Sequence, residues 1–421
     1  MKELLQEAHQ LDANDPIRHM REQFYLPKDK SGNACIYLCG NSLGLQPKTT
    51  ESFVQQELKD WRDLGVEGHF EAKHPWMPYH EFLTQHMAEV VGAKNGEVVV
   101  MNSLTVNLHL MMVSFYRPTK ERHKIMIEEN AFPSDQYAVK SQIKFHGHDP
   151  KNSLLEIPPS PGRAFTAPED ILEFIDRHGS ETALILIGGV NYYSGQAFPL
   201  KEIAAAGHEK GCMVGFDLAH GAGNIDCQLH DSGADFACWC TYKYLNSGPG
   251  GMSGVFVHER HADNFELPRF AGWWGHDKTS RFLMPKEFQP EPGAEGWQLS
   301  NPPILAMAAL RASLEQFHEV GIAALREKSE KLTSFFETCI RSIPTDRIQI
   351  ITPGPKDRGC QLSLRVKGGD KSIFQKLNEE GVISDWREPD VIRIAPVPMY
   401  NRFEEGVFFA NKLQKALEID N

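Results

Sequence analysis

From about residue 80 to residue 260, short apolar runs alternate with amphipathic stretches. Val98-Val99-Val100 is apolar without a break over strand length, as expected of a strand covered on both faces. The same texture recurs at Lys124 to Ile127, Ala183 to Ile187, Met213 to Phe216 and Val255 to Val257. Between these runs, Pro133 to Phe145 and Pro199 to Lys210 read as helices. The second has Pro at its start and Lys210-Gly211 at its end, residues that open and close helices. Such alternation predicts an α/β domain with a mostly parallel sheet flanked by helices. Ligands of such sheets bind beyond the carboxyl ends of the strands.

Beyond about residue 300 the texture changes. Helices are predicted at Pro302 to Phe317, Ala323 to Arg341, Ser372 to Glu380 and Phe403 to Leu417, and shorter apolar runs at Ile348 to Ile351, Leu362 to Val366 and Val391 to Ile394. This pattern predicts a smaller α+β domain, and Phe288 to Asn301, rich in Pro and Gly, is the expected connection. The expected division is an N-terminal segment over 1–65 packing with the small domain, a large domain over 66–300 and the small domain over 301–421. No internal repeat or low-complexity tract interrupts it.

Composition narrows the functional class. With 421 residues the chain can bury a large core without disulfide or metal staples. Its formal net charge of −12 argues against a phosphate backbone as partner, so no nucleic acid is expected. No run is long enough to span a bilayer, and Met1 to Glu7 lacks the apolar stretch of a signal peptide, so a cytoplasmic enzyme is expected. The eight cysteines contain no Cys-x-x-Cys pair and read as small buried hydrophobes in a reducing compartment.

The most informative window is Phe216-Asp217-Leu218-Ala219-His220, which puts an acid just after an apolar strand. Thr241-Tyr242-Lys243-Tyr244 and a glycine-rich stretch from Gly248 to Gly254 follow. That stretch lacks the Gly-x-x-x-x-Gly-Lys-Ser/Thr order of a nucleotide loop. Pyridoxal phosphate unites these features: it needs a lysine to hold its aldehyde as a Schiff base and a carboxylate to keep its ring nitrogen protonated. Taken singly, a strand-end Asp is more often a cap or turn residue, and a Lys before a glycine-rich loop is usually solvated. The ordered set is much harder to produce by chance. For the phosphate, helix N-termini offer donors. Asn102-Ser103-Leu104-Thr105 opens one helix, with the Leu104 and Thr105 amides and the Thr105 hydroxyl available. Phe132-Pro133-Ser134-Asp135 opens another, where Phe132 could stack on a ring with Ser134 and Asp135 close by.

Over nearly its whole length the chain resembles the kynureninase family, fold type I pyridoxal-phosphate enzymes of the class V aminotransferase-like group. The likeness is carried by Gly40-Asn41-Ser42-Leu43-Gly44, Asn102 to Asn107, Phe132 to Asp135 and Gly189 to Gln196. It continues through Asp217 to His220, Thr241 to Asn246, Gly272-Trp273-Trp274-Gly275-His276, Ser300 to Ile304 and Arg393 to Pro398. The Asp and Lys pattern alone also fits cysteine desulfurases and class V aminotransferases; the Trp273 and Asn301 windows narrow it.

The resemblance implies hydrolysis of L-kynurenine and 3-hydroxy-L-kynurenine to anthranilate or 3-hydroxyanthranilate plus L-alanine, in tryptophan catabolism and NAD biosynthesis. It implies that Lys243 binds the cofactor and moves the Cα proton, that Asp217 faces the ring nitrogen with His220 nearby, and that Phe132 stacks on the ring. Leu104, Thr105 and Tyr242 would bind the phosphate, with Trp273 and Asn301 reaching in from the partner of a homodimer. Tyr242 would also act as a proton donor. Arg393 would grip the substrate carboxylate, and Ser42, His69, His276 and Asn301 would line the substrate site. His69 and Asn301 together resemble the enzymes preferring 3-hydroxykynurenine. Gly188 departs from the family, which often offers a hydroxyl there.

Two other classes compete. A cysteine desulfurase wants an exposed, activated cysteine, for which Cys360 is the candidate. A metal-dependent hydrolase could use His146-Gly147-His148-Asp149, though no second ligand cluster is evident and no metal is expected. A non-catalytic binding protein is disfavoured by the joint presence of Lys243 and Asp217.

Overall fold

The computed structural model describes residues 1–418. Seven strands form the central sheet: β1 Val98–Met101, β2 Lys124–Glu128, β3 Leu154–Ile157, β4 Thr182–Gly188, β5 Met213–Asp217, β6 Phe236–Cys240 and β7 Ser253–Val257. Their order across the sheet is β1-β7-β6-β5-β4-β2-β3. All neighbours are parallel except β7, which runs antiparallel to both β1 and β6. Successive residues feed opposite faces, as the pleat requires. Val98, Val100, Ile185 and Ile187 join one core, and Val99, Met101, Leu184 and Leu186 join the other.

Two strands lie outside the expected set, for different reasons. The β6 run Phe-Ala-Cys-Trp-Cys is fully buried but has no β-branched residue, so its local strand signal is weak. β3 is an edge strand in which only Ile157 is buried.

A second, antiparallel sheet orders Asp385–Arg387, Val391–Ile394, Leu362–Val366 and Ile348–Ile350. With the helices Ile322–Arg341 and Glu404–Ala416 it encloses its own core, which also takes Ala8, Ile36 and Leu38 from the N-terminal segment. The Ile36–Tyr37 strand pairs in parallel with Val382–Ile383. The helix Ile304–Val320 contributes Met307, Leu310, Leu314 and Phe317 to the core under the large sheet and packs on Thr50–Leu64 and Glu81–Val91.

Phe288 to Asn301 is not an open connection. It holds a buried 3-10 turn, Gly293–Trp297, packed on β1 and β7, and the Trp297 indole N–H donates to Ser114 Oγ at 2.9 Å. Its glycines serve close packing there. No helix among the described residues is long and apolar enough to cross a membrane. All eight cysteines are unpaired, and all but Cys39 are buried.

Candidate active site

The carboxyl ends of β2, β4 and β5 carry Glu128, Gly188 and Asp217. β6 continues past its end into Thr241-Tyr242-Lys243, and β7, being antiparallel, begins at the same rim with Ser253. A cavity of about 370 Å³ opens there. Its walls bring together Leu104, Thr105, Phe132, Ser134, Asp135, Asp217, His220, Tyr242 and Lys243, with Ser42 and Arg393 from outside the large sheet.

One side of the cavity suits an anion. Asn102 takes a left-handed backbone, φ 48°, between β1 and the helix Leu104–Phe115. Its side chain donates to Asn107 Oδ1 at 3.0 Å, and Asn107 donates in turn to the Met101 carbonyl at 2.9 Å, fixing the turn. Ser103 stands at the N-cap, yet its hydroxyl makes no capping bond. The first amides of this helix therefore remain open to a ligand. The helix Pro133–Phe145 starts beside it, and Thr105 Oγ1 lies 2.9 Å from Ser134 Oγ. Two helix starts and two hydroxyls thus converge on one anion site.

Another side is acidic. Asp217 Oδ1 accepts the Ala219 N–H at 2.7 Å. Burial raises the Asp217 pKa, opposed by that amide and by the charge of Lys243. Asp135 is held well above the usual carboxylate range, first by burial and then by the charges of Asp217 and Glu128. Burial lifts Glu128 to about 7. Three carboxyl groups this deeply buried and this close do not all ionise.

Lys243 Nζ lies 3.0 Å from His220 Nε2 and 6.0 Å from the centroids of both the Phe132 and Tyr242 rings. Burial, followed by the charges of Lys243 and Arg393, holds His220 well below the usual histidine range, so the ring is neutral near pH 7. Its Nδ1 is buried without a hydrogen-bond partner. Burial pushes the Tyr242 phenol up, so it keeps its proton.

Arg393 enters from the small sheet. Its Nε donates to Asp385 Oδ1 at 2.7 Å, its Nη2 to Asp385 Oδ2, and its Nη1 to the Tyr192 carbonyl at 2.7 Å. Asp385 is its cross-strand partner. Three of the five guanidinium N–H donors are spent on holding the plane in place, which leaves two for a ligand.

The N-terminal segment closes on the lysine loop, where the Gly44 N–H donates to the Tyr242 carbonyl at 2.8 Å. A Cβ at Gly44 would stand 2.3 Å from the Lys243 carbonyl oxygen and 2.2 Å from Asn246 Oδ1. Gly44→Ala is therefore expected to destabilise the fold by about 1–3 kcal/mol and to lower kcat/KM, because the strain falls on the Lys243 backbone. Urea unfolding combined with steady-state kinetics checks this. A variant with unchanged stability and rate would mean that the segment gives way freely.

Four expected residues stay outside this cavity within one chain. His69 Nδ1 lies 2.9 Å from the Val66 carbonyl, and its ring meets Trp76 edge-on. Trp273, 43% exposed, and His276 line a separate hollow, where His276 Nε2 lies 3.0 Å from Ser280 Oγ. Asn301 is exposed. Conversely, Glu128, Tyr192, Ser253 and Arg387 line the cavity without having been singled out. Glu128 shows the same signal as Asp217, an acid closing an apolar strand, one residue past the run ending at Ile127. Arg387 sits in a three-residue strand too short to leave a pattern.

The residues named for the rival chemistries are engaged otherwise. Cys360 is buried, and burial pushes its thiol up to about 12. His148 stacks on His123, and Asp149 caps the short helix Pro150–Ser153 by accepting the Lys151 N–H at 3.0 Å. The cavity instead fits a ligand with a phosphate, a basic ring nitrogen to face Asp217 and an electrophilic carbon for Lys243. Pyridoxal phosphate has all three, and the orphaned Nδ1 of His220 offers a further polar contact.

Comparison with known proteins agrees with this chemistry. A family profile described as the kynureninase C-terminal domain matches residues 325–413. A kynureninase from Koribacter versatilis is 59% identical over 406 residues, covering 96% of this chain and 96% of that protein. One from Myxococcus xanthus is 57% identical over 408 residues, covering 97% and 96%. Among solved structures, the apo cysteine desulfurase of Thermococcus onnurineus NA1 matches with a TM-score of 0.76 and 17% identity, covering 91% of this chain and 95% of that one. At that identity the likeness speaks for the fold alone.

Proposed function

This chain belongs to the kynureninase family, and from that premise we propose how its cleft does the work. The enzyme is a pyridoxal-phosphate-dependent hydrolase that cleaves kynurenine. Water is added across the Cβ–Cγ bond, and anthranilate and alanine leave. When bound, the cofactor supplies an electron sink for the negative charge that develops on the substrate carbons.

The residues of the chain do the rest. Leu104, Thr105 and Ser134 hold the phosphate at the paired helix starts. Asp217 faces the ring nitrogen, and Phe132 covers the ring. Arg393, fixed by Asp385 and Tyr192, takes the substrate α-carboxylate with its two remaining donors, and Ser42 lies on the same wall. Lys243 removes the Cα proton, oriented by His220. Tyr242 keeps its proton at neutral pH and gives it to Cβ once the bond has broken. The observation that carries this assignment is that Lys243, Asp217, Arg393 and the Thr105–Ser134 anion site share one cavity.

His69, Trp273, His276 and Asn301 are assigned to the cleft of a second copy, giving a homodimer with shared sites. Exposed Phe270, Trp273, Phe282, Leu283 and Met284 support a covered face around them. A cytoplasmic location is supported by the eight unpaired cysteines, and a role in tryptophan catabolism and NAD biosynthesis by the family to which the chain belongs. With His69 and Asn301 at the aromatic end of the substrate, 3-hydroxykynurenine is the expected favourite.

The test is a parallel assay of kynurenine and 3-hydroxykynurenine, following alanine and the aromatic acid. Both are expected to be cleaved, with kcat/KM at least about tenfold higher for the hydroxylated substrate, because a pocket built to hydrogen-bond a hydroxyl discriminates against its absence. A strong preference for plain kynurenine removes the roles given to His69 and Asn301. Failure to release alanine from either substrate removes the function.

A further inference from the structure

At the closed end of the cavity, Glu128 ends β2 next to Gly188 of β4, which pairs in register with Asp217 of β5. The Gly188 N–H donates to Glu128 Oε2 at 3.2 Å. Glu128 Oε1 lies 2.9 Å from the place a Cβ on residue 188 would take, so this carboxyl fills the space that a side chain there would occupy. The Gly189 N–H in turn donates to the Asp217 carbonyl at 2.7 Å. One carboxyl thus grips the backbone beside the acid that faces the cofactor ring.

The titratable groups around Glu128 are Asp217, Asp135 in the first turn of Pro133–Phe145, the Cys238 thiol on β6, and Lys243 with His220 on the cavity wall. Among them Lys243 is the only cation, and burial keeps Cys238 protonated. A negative charge on Glu128 beside that of Asp217 has no further cation to pair with. We propose that Glu128 is a positioning residue for the cofactor: it stands as the neutral acid, locks Gly188 and Asp217 in place, and leaves the negative charge of the cluster to Asp217. This rests on the assignment of Asp217 to the cofactor ring made above.

The chemistry sets two expectations. Glutamine reproduces the shape and neutrality of a protonated Glu, whereas alanine removes the grip on Gly188. The cofactor dissociation constant, measured on the dimer by equilibrium dialysis with pyridoxal phosphate, should rise about tenfold or more in Glu128→Ala and stay within about threefold of wild type in Glu128→Gln. The second readout needs no cofactor. The acid is raised to about 7 in the folded protein, so its contribution to stability is present below its unfolded pKa and is lost as pH rises through 7. The Tm of the wild-type apoprotein should therefore fall relative to that of Glu128→Gln between pH 5 and pH 8.

If Glu128→Gln loses as much affinity as Glu128→Ala, the group acts as an anion and the proposal is wrong. Wild-type affinity in Glu128→Ala, or a Tm difference independent of pH, also overturns it. If Glu128→Ala does not fold, Glu128→Gln still decides between the neutral and the charged form. If wild-type protein itself binds no pyridoxal phosphate, it is the assignment of the cavity that fails, not the role of Glu128.

Discussion

Lys243→Ala is expected to lower turnover by at least about 10³-fold, the scale of a positioned proton-transfer group. Among the described residues, the basic side chain hydrogen-bonded to the lysine is His220, with its Nε2 3.0 Å from Nζ. It cannot take over, because burial and its cationic neighbours hold it well below the usual histidine range and make it a poor base. The variant should still bind some cofactor, since the anion site at Thr105 and Ser134 and the Asp217 contact do not pass through Lys243. Borohydride treatment followed by peptide mass analysis supplies the second readout. The wild-type enzyme should be yellow and retain the cofactor on the peptide containing Lys243, and the variant should retain none. Normal turnover in Lys243→Ala, or a colourless wild-type protein with stoichiometric zinc, would refute the assignment.

The sheet was legible where burial shows in the side chains themselves. β1, β2, β4, β5 and β7 are runs of aliphatic and aromatic residues, and each was expected within a residue or two of where it lies. β6 is as deeply buried, but its Ala and Cys residues carry no strand preference, so tertiary packing makes it a strand. The antiparallel direction of β7 leaves no trace in composition, yet it brings Ser253 and the glycines before it to the cavity. At Gly293–Trp297, glycine serves close packing, which composition alone does not distinguish from a connecting segment.

The lining of the candidate site was legible in a similar way. Asp217, Lys243 and the two helix starts are local signatures, each a residue type at the end of an element. Arg393 depends on long-range context, because only the folded chain places Asp385 and the Tyr192 carbonyl around it. The acidic cluster was half legible. Asp135 and Asp217 stood out, but their coupling to Glu128 comes from the adjacency of β2, β4 and β5, a property of sheet order that no single segment encodes.

That cluster sets stability and catalysis against each other at Asp217, and Asp217→Asn should separate them. Asparagine keeps an oxygen for the Ala219 N–H, so the local turn survives. Losing the anion that faces the ring nitrogen is expected to cost on the order of 10²–10³-fold in kcat, as for other preorganised electrostatic contacts. The apoprotein should respond in the opposite direction. Burial raises the Asp217 pKa in the folded protein, so ionising it there is less favourable than in the unfolded chain. Its contribution to stability is therefore present at low pH and lost as pH rises through the folded value. Asp217→Asn should make the apoprotein more stable than wild type in urea at pH 8, and the gap should narrow toward pH 5. Cofactor binding should reverse the order, because only the carboxylate gains from a protonated ring nitrogen. An apoprotein destabilised at pH 8, or a variant with wild-type kcat, would mean that Asp217 does not supply the negative charge facing the cofactor.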